Sequence, residues 1–245
     1  MTQNTPLRSQ AIPVTDPEAG LRMTEIFYSL QGEALTAGLP TVFVRLTGCP
    51  LRCVYCDTTY SFTGGERLSL EAIMADIAQY PCKRICLTGG EPLAQPNAIP
   101  LMQRLLDEGY EISLETAGAL SVADVPAAVS KVMDIKTPSS GESDKNLWSN
   151  LEYLTQHDQL KFVIMNRSDY DWSKQKLAEH NLDKVVGTVW FSPMFNVHDD
   201  AQGDVAAVDV PNLARELAEW ILADALPVRL QLQLHKIIWA DAKGK

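Results

Sequence analysis

The chain has 245 residues, of which 46% are hydrophobic and 21% are charged, a composition that excludes disordered, collagen-like and coiled-coil proteins. Its 31 acidic and 21 basic residues give a formal charge of -10, which disfavours nucleic acid as a partner, because phosphate contact needs clusters of Lys and Arg. No apolar run approaches the roughly 20 residues that span a bilayer, and the polar start has no signal-peptide core. We therefore expect a cytoplasmic protein with a small-molecule substrate and no membrane contact.

The predicted elements alternate between strands and helices behind a leader. Residues 1–22 contain three prolines and no sustained apolar period, so they predict a flexible N-terminal leader before a single domain over residues 23–245. Seven strands are predicted, at residues 42–46, 84–87, 110–114, 131–135, 160–165, 185–191 and 228–234. Helical patterns fall between them, at residues 70–77, 101–106, 147–154, 172–178 and 213–222, with Ser69 as the N-cap of the first.

This alternation predicts an α/β fold with a mainly parallel sheet, because strands this apolar need cover on both faces. Right-handed crossovers would curl such a sheet into an open or closed barrel. A complete eight-fold barrel takes about 250 residues. Since only about 220 residues follow the leader, a partial (βα)6-type TIM barrel fits better.

Three cysteines crowd into one loop directly after the first predicted strand. Cys49, Cys53 and Cys56 lie within eight positions, at what a parallel α/β fold makes the catalytic end of the strand. Three thiolates can converge on one soft metal centre, either zinc or the iron of a cluster. A structural zinc site has four protein ligands, whereas a cubane cluster on three cysteines leaves one iron open. Cys82 and Cys86 could supply a fourth ligand, but packing roles are the expectation for both.

Two motifs together resemble those of the radical S-adenosylmethionine (SAM) superfamily. The CxxxCxxC loop has Tyr55 immediately before its last cysteine, and LTGGEP follows the next strand at residues 87–92. Two glycines after a strand let backbone groups approach a ligand closely, and Glu91 could hold an ammonium group. The resemblance implies a partial barrel of the radical SAM type, a 4Fe-4S cluster on the three cysteines, and SAM bound at the open iron.

The residues around these motifs resemble the 7-carboxy-7-deazaguanine synthase family. The resemblance is carried by EIFYSLQGE at 25–33, FVRLTGC at 43–49 and CDT at 56–58, with shorter matches at 134–136, 192–193 and 234–236. It implies a lyase that converts 6-carboxy-5,6,7,8-tetrahydropterin to 7-carboxy-7-deazaguanine with loss of ammonia, in 7-deazapurine (queuosine precursor) biosynthesis. It also implies Mg²⁺, an electron donor such as flavodoxin or ferredoxin, and a homodimer.

The same resemblance assigns the site residues. For the substrate it implies Leu30, Gln31, Gly32, Glu33, Arg45 and Thr88. For SAM it implies Tyr55, Asp57, Gly90, Glu115, Lys136 and Ser192. For metals it implies Cys49, Cys53 and Cys56 at the cluster and Thr58 at Mg²⁺, and no residue is assigned as acid or base. The chemistry of Arg45 agrees, because this lone cation in an apolar run has a planar fork that can hold a carboxylate through two hydrogen bonds.

Two alternatives stay open at this point. A glycyl-radical-enzyme activating enzyme shares both motifs, although its protein substrate gives no reason for Arg45 or for the loop at residues 31–33. A non-enzymatic zinc-binding module is the alternative from a different class. The chain also departs from the family pattern at Ala34, where glycine is common. If that position has a positive φ, alanine costs about 1 kcal/mol.

Overall fold

The strands of the fold form one continuous sheet. The computed structural model describes residues 20–195, 210–240, 242 and 244. Its strands are β1 (Leu21–Leu30), β2 (Pro40–Leu46), β3 (Glu66–Leu68), β4 (Arg84–Gly89), β5 (Glu111–Thr116), β6 (Ser130–Ile135), β7 (Gln159–Ile164), β8 (Thr188–Pro193) and β9 (Arg229–Leu230). Its α-helices are α1 (Leu70–Ile77), α2 (Ala98–Asp107), α3 (Arg167–Glu179), α4 (Leu182–Val185), α5 (Val210–Ala223) and α6 (Leu234–Trp239).

The sheet has a parallel body and an antiparallel margin. In the described part of the chain the strands lie in the order β3-β1-β2-β4-β5-β6-β7-β8-β9. Neighbouring strands from β2 to β9 are parallel, whereas β1 pairs antiparallel with both β2 and β3. A short loop can join the antiparallel strands β1 and β2, while parallel neighbours need longer crossovers, several of which contain helices. The predicted α/β class with a mainly parallel sheet is confirmed.

All seven predicted strands are present, and the differences lie mostly at their ends. The prediction over 185–191 is wrong at its start, because Asn181 turns the chain with a φ of 50° into the short helix α4 and β8 begins only at Thr188. The prediction over 228–234 is too long, since β9 has two residues and Leu234 already begins α6. Strands β1 and β3, the antiparallel margin, were not predicted.

One predicted helix has a different form. Residues 147–154 contain a 3-10 helix over Trp148–Tyr153 in place of an α-helix. Asn150 gives the physical reason, because its Oδ1 accepts a hydrogen bond from Val122 N at 3.1 Å and its Nδ2 donates to the carbonyl oxygens of Gly118 and Leu120 at 3.1 and 2.9 Å. The segment is therefore held to the neighbouring loop by its side chain.

The alternation of side chains along β2 separates the core from the functional face. Val42, Val44 and Leu46 are fully buried in the main hydrophobic core, while Phe43 and Arg45 point to the opposite face. Helix α1 covers the core, and its predicted N-cap is confirmed by a 3.1 Å hydrogen bond from Ala72 N to the hydroxyl of Ser69. Burial of each large aliphatic side chain contributes about 1.5–3 kcal/mol.

The predicted domain boundary lies close to the start of the sheet. Strand β1 begins at Leu21, two residues before the predicted start of the domain. Residues 1–19, most of the predicted leader, lie outside the described residues, so the leader and the single domain over 23–245 stay predictions. None of the described helices combines the length and apolar character needed to cross a membrane.

Candidate active site

A pocket of about 250 Å³ lies at the carboxyl ends of the parallel strands. Of the residues that the family resemblance assigns to the site, all except Gly32 line this pocket: Leu30, Gln31, Glu33, Arg45, Cys49, Cys53, Tyr55, Cys56, Asp57, Thr58, Thr88, Gly90, Glu115, Lys136 and Ser192. Since the carboxyl ends of parallel strands meet at one edge of a sheet, motifs far apart in sequence converge there.

Gly32 has a structural role beside the pocket. A Cβ atom on this residue would lie 2.1 Å from Nδ1 of His235, and its carbonyl oxygen accepts a 3.0 Å hydrogen bond from Leu234 N. The loop between β1 and β2 therefore packs directly against the start of α6. Its role as a substrate contact, which could only involve backbone atoms, stays a prediction.

The rest of this loop is shaped by Gln31 and Ala34. The side-chain oxygen of Gln31 accepts hydrogen bonds from the backbone N–H groups of Gly32 and Glu33 at 2.9 and 3.4 Å. Ala34 then adopts a φ of 62° and is almost fully buried. The conditional prediction is met, since this alanine occupies the left-handed region that favours glycine.

Arg45 is fixed through one edge of its guanidinium group. Its Nε donates a 2.8 Å hydrogen bond to Oε1 of Glu25, which also accepts from the hydroxyl of Tyr60 at 2.7 Å. The guanidinium carbon lies 5.8 Å from the ring centroids of both Phe27 and Tyr60. Within the described residues, its two terminal nitrogens have no hydrogen-bond partner. An oriented cation at a pocket wall can bind an anionic ligand group.

The three cysteines line one side of the pocket with free thiols. Burial raises the pKa of all three thiols, that of Cys53 to about 11. Across the described residues, no set of three His, Cys, Asp or Glu side chains is arranged to hold a metal ion. Burial thus favours the protonated thiols, and metal binding would have to displace their protons.

The glycine-rich motif packs against the start of the cysteine loop. The N–H of Glu91 donates to Gly48 O at 2.8 Å, and a Cβ atom on Gly90 would lie 2.2 Å from that oxygen and 2.9 Å from Cβ of Cys49. The absence of a side chain at Gly90 thus allows the two loops to touch.

Glu91 does not serve as the predicted ammonium ligand. It is fully buried and is not among the residues that line the pocket. Its carboxylate accepts hydrogen bonds from Leu93 N at 3.0 Å, Ala117 N at 2.7 Å and the hydroxyl of Thr116 at 3.0 Å. These contacts join the glycine-rich loop to the end of β5, so the role of Glu91 is structural.

A cluster of five charged side chains occupies the pocket wall. It consists of Glu33, Glu115, Asp134, Lys136 and Lys161. Lys161 Nζ lies 2.8 Å from Glu33 Oε2, 3.8 Å from Glu115 Oε2 and 3.9 Å from Asp134 Oδ2. Lys136 Nζ donates to Asp134 Oδ2 at 2.9 Å. We refer to these five residues as the charge cluster.

The pKa values in the charge cluster follow from burial and from neighbouring charges. Burial raises the pKa of Glu33, but Lys161, His235 and the hydrogen bonds to its oxygens outweigh burial and lower it to about 2. Burial raises the pKa of Glu115 to about 7, because the attraction of Lys161 only partly opposes it. For Lys136 and Lys161 burial lowers the pKa, yet the facing carboxylates raise it overall.

Sequence reasoning did not assign several residues of the pocket. These are Phe27, Phe43, Cys86, Asp134, Lys161, Gln233 and His235, among others. Lys161 carried a usable signal, since it is the only charged residue of β7 (QLKFVI) and is therefore as unusual there as Arg45 is in β2. Asp134 and His235 lie within the quoted matches at 134–136 and 234–236.

Comparison with known proteins gives the family. A profile described as the radical SAM superfamily matches residues 43–134, which contain both the cysteine loop and the glycine-rich motif. The 7-carboxy-7-deazaguanine synthase of Chlorobaculum tepidum is 39% identical over 233 residues, covering 93% of this chain and 98% of its own length. That of Koribacter versatilis is 43% identical over 227 residues, covering 91% of this chain and 100% of its own.

The chain belongs to the 7-carboxy-7-deazaguanine synthase family.

As a member of the 7-carboxy-7-deazaguanine synthase family, the chain is a radical SAM enzyme of deazapurine biosynthesis, and the cofactors of this class are a 4Fe-4S cluster and SAM. The fold agrees with the family. The crystal structure of QueE from Escherichia coli superposes with a TM-score of 0.68 at 24% sequence identity, covering 88% of this chain and 94% of that chain. The predicted radical SAM type of α/β fold is thereby confirmed.

The residues present fit these two cofactors. Three thiols without disulfide bonds form the ligand type that iron–sulfur clusters need. In the same pocket, Oδ1 of Asp134 is buried without a hydrogen-bond partner in the described residues. An unpaired buried acceptor at a pocket wall is a site where a ligand donor would be stabilised.

Other predicted SAM residues already have protein partners. The hydroxyl of Ser192 donates to Gln231 O at 2.8 Å, and the hydroxyl of the buried Tyr55 lies 3.4 Å from Oγ1 of Thr137. Their roles toward SAM stay predictions. Thr58 Oγ1 donates to Asp57 Oδ1 at 2.8 Å, which places two oxygen-bearing side chains together at the pocket edge.

Proposed function

We propose that the chain converts 6-carboxy-5,6,7,8-tetrahydropterin to 7-carboxy-7-deazaguanine with loss of ammonia. The observation that carries the proposal is the state of Arg45, whose Nε is held by Glu25 while its terminal nitrogens have no partner in the described residues. Such a planar fork binds a carboxylate through two parallel hydrogen bonds. The pterin substrate carries one carboxylate, and the two relatives described above are named as synthases of a carboxylated product, 7-carboxy-7-deazaguanine.

The opposite edge of the pterin needs both hydrogen-bond donors and acceptors. Nε2 of Gln31 is buried and interacts only with the thiol of Cys86, without a hydrogen-bond acceptor of its own in the described residues. It can therefore donate a hydrogen bond to a ring carbonyl of the pterin. The carboxylate of Glu33 stays ionised and can accept from ring N–H groups, since each oxygen has a second lone pair beyond its bonds to Lys161 and Gln233. Phe27 and Phe43 stack on each other with centroids 4.8 Å apart and add an apolar wall. Leu30 and Thr88 complete the proposed substrate contacts.

Cys49, Cys53 and Cys56 are the proposed cluster ligands. The cluster, when bound, would supply the electron for reductive cleavage of SAM. Asp57, Gly90, Glu115 and Lys136 line the same pocket as these thiols and are the proposed SAM contacts, together with Tyr55 and Ser192.

We propose Thr58 as the protein ligand of Mg²⁺. Magnesium prefers oxygen ligands and usually keeps several waters, so one hydroxyl together with oxygens of the substrate is a sufficient site. The neighbouring carboxylate of Asp57 would favour the cation electrostatically.

The proposed partners are an electron donor such as flavodoxin or ferredoxin and a second copy of the chain. Strand β9 is the margin of the sheet in the described residues, and its Leu230 is 38% exposed, which leaves an edge that a homodimer could cover. Five free cysteines suit a reducing compartment and thus a cytoplasmic location.

The test is anaerobic reconstitution with iron and sulfide followed by incubation with the carboxytetrahydropterin, SAM, Mg²⁺ and reductant. Detection of 7-carboxy-7-deazaguanine by mass spectrometry supports the proposal. Absence of this product from a protein that holds its cluster and cleaves SAM would contradict it. A protein that instead binds stoichiometric zinc and no iron would support the non-enzymatic module.

A further inference from the structure

The loop between β1 and β2 lies along the pocket and is hydrogen-bonded to strand β7. Leu35 N donates to Gln159 Oε1 at 3.0 Å, and Glu33 Oε2 accepts from Lys161 Nζ at 2.8 Å. Both partners belong to β7, which lies five places from β1 in the sheet order. The curl of the sheet thus brings β7 opposite the loop between β1 and β2. Among the described residues, Lys161 is the only cation within 4 Å of the carboxylate of Glu33.

The lysines of the charge cluster have different partners. Lys136 forms a 2.9 Å ion pair with Asp134, whereas Lys161 lies 3.9 Å from the same oxygen of Asp134. The close partner of Lys161 is Glu33, and their side chains are only 11% and 14% exposed. A buried carboxylate without its cation takes up a proton instead of remaining charged.

We propose that Lys161 is a positioning residue that keeps the carboxylate of Glu33 charged and aimed at the pterin. Its Nζ contacts Glu33, and Gln233 Nε2 at 2.8 Å fixes the other oxygen. The carboxylate is thereby held from two sides in one orientation. The inference rests on the proposed function, because Glu33 is the proposed acceptor for the pterin N–H groups.

The titratable groups around Glu33 determine how its carboxylate would respond to the loss of Lys161. The other titratable groups near it are His235, Glu115 and Asp134, and burial lowers the pKa of His235. Loss of Lys161 would leave Glu33 and Glu115 buried with less compensating charge, and Lys136 is already paired with Asp134. Burial would then favour the protonated form of Glu33, which is a weaker acceptor for the pterin N–H groups than the carboxylate, so pterin binding would favour release of the proton.

The test measures pterin binding to cluster-loaded protein with saturating SAM and no reductant, so that no turnover occurs. Calorimetry in two buffers of different ionisation enthalpy gives both affinity and proton release. For Lys161→Met we expect an affinity loss of about tenfold or more, the value of a charged hydrogen bond, and release of a proton on binding that the wild type does not show. Lys161→Arg keeps the charge and should retain affinity within about fivefold of wild type.

Lys131→Met is the matched control. Lys131 is also a buried strand lysine, 3.1 Å from Asp158, but it does not line the pocket. We expect this variant to lose stability and to bind the pterin as the wild type does. Equal pterin affinity and equal proton release in the wild type and Lys161→Met would overturn the inference alone. Failure of the wild type to bind the pterin would overturn the proposed function and the inference with it.

A double variant keeps the test decisive if Lys161→Met does not fold. Glu33→Gln with Lys161→Met removes both charges of the pair, so no unpaired ion is left between them. If Lys161 acts through Glu33, adding Lys161→Met to Glu33→Gln changes pterin affinity by less than about twofold. A further loss of about tenfold would show that Lys161 binds the pterin itself, which contradicts a positioning role.

Discussion

Arg45 and Glu25 face each other across the antiparallel pair of β1 and β2 and are joined by a 2.8 Å hydrogen bond from Nε to Oε1. The pairing register itself brings these two side chains together on the pocket face. Because Glu25 binds the Nε edge, the opposite edge of the guanidinium is available to a ligand. This cross-strand pair links the unpredicted strand β1 to the proposed recognition of a carboxylate.

Substitution of Arg45 tests that recognition. We expect Arg45→Ala to abolish pterin turnover while reductive SAM cleavage without substrate stays measurable, because the anion site and the cluster loop are separate. Glu25→Gln should weaken pterin binding by about tenfold, since Nε loses its charged partner. Arg84→Ala, which removes an arginine paired with Glu111 away from the pocket, is the control and should not change either activity. Near-normal turnover by Arg45→Ala would refute the carboxylate site.

Replacement of Gly90 tests the contact between the glycine-rich motif and the cysteine loop. Gly90→Ala would place its Cβ 2.2 Å from Gly48 O, so the loops must separate and we expect reduced iron and sulfide content after reconstitution. Gly109→Ala is the control, because Gly109 has a φ of 76° but no atom within 4 Å of an added Cβ. It should lose stability and keep its cluster. Equal iron content in both variants would argue against a role for this contact.

The left-handed conformation of Ala34 predicts a stabilising substitution. Ala34→Gly should raise the free energy of unfolding by up to about 1 kcal/mol, because glycine adopts a φ of this sign without steric cost. Ala72→Gly in helix α1 is the opposite control and should lower stability by about 1 kcal/mol. Urea unfolding of both variants measures the difference. Destabilisation by Ala34→Gly would show that the buried methyl group contributes more than the backbone strain costs.

The two glutamates of the charge cluster should make the free energy of unfolding depend on pH in different ranges and in opposite directions. Glu33 has a pKa lowered from 4.5 to about 2, so its contribution is present above pH 4.5 and is lost as the pH falls toward 2. Glu115 has a pKa raised to about 7, so the native state binds more protons than the unfolded chain and stability falls as the pH rises from 4.5 through 7.

Urea unfolding between pH 5 and 8 separates these effects. Glu115→Gln should flatten the decline in unfolding free energy over this range, because the amide does not titrate. Glu33→Gln should make the decline shallower without abolishing it, because the charge of Glu33 helps to raise the pKa of Glu115, and it should remove stability that the wild type loses only at acid pH. A Glu115→Gln variant with the same decline as the wild type would contradict the assignment.

The sequence allowed prediction of what each strand end carries. The cysteine loop, the glycine-rich motif and Glu115 each follow an apolar strand, and parallel strands bring such ends to one edge. Convergence of these segments on one pocket was therefore predictable, whereas the individual substrate and SAM residues came from the family resemblance. Arg45 was recognisable because a cation in an apolar strand is rare.

Contacts that depend on the curl of the sheet were not predictable. Glu33 and Lys161 are separated by 128 positions, and only the curl of the sheet brings β7 opposite the loop after β1. The 3-10 helix over Trp148–Tyr153 was missed for a related reason, since its apolar spacing also suits an α-helix and the side chain of Asn150 decides the outcome. Glu91 was given a ligand role because a short motif does not reveal which carboxylates are satisfied by neighbouring backbone groups.

The most direct measurement of the central claim is the stoichiometry of the reaction. Reconstituted enzyme is incubated anaerobically with the carboxytetrahydropterin, SAM, Mg²⁺ and reductant, and ammonia and 7-carboxy-7-deazaguanine are quantified together, with Cys53→Ala as the inactive control. The proposed function predicts equal amounts of ammonia and deazaguanine, both dependent on the three cysteines. Cleavage of SAM with neither ammonia nor deazaguanine formed would contradict it.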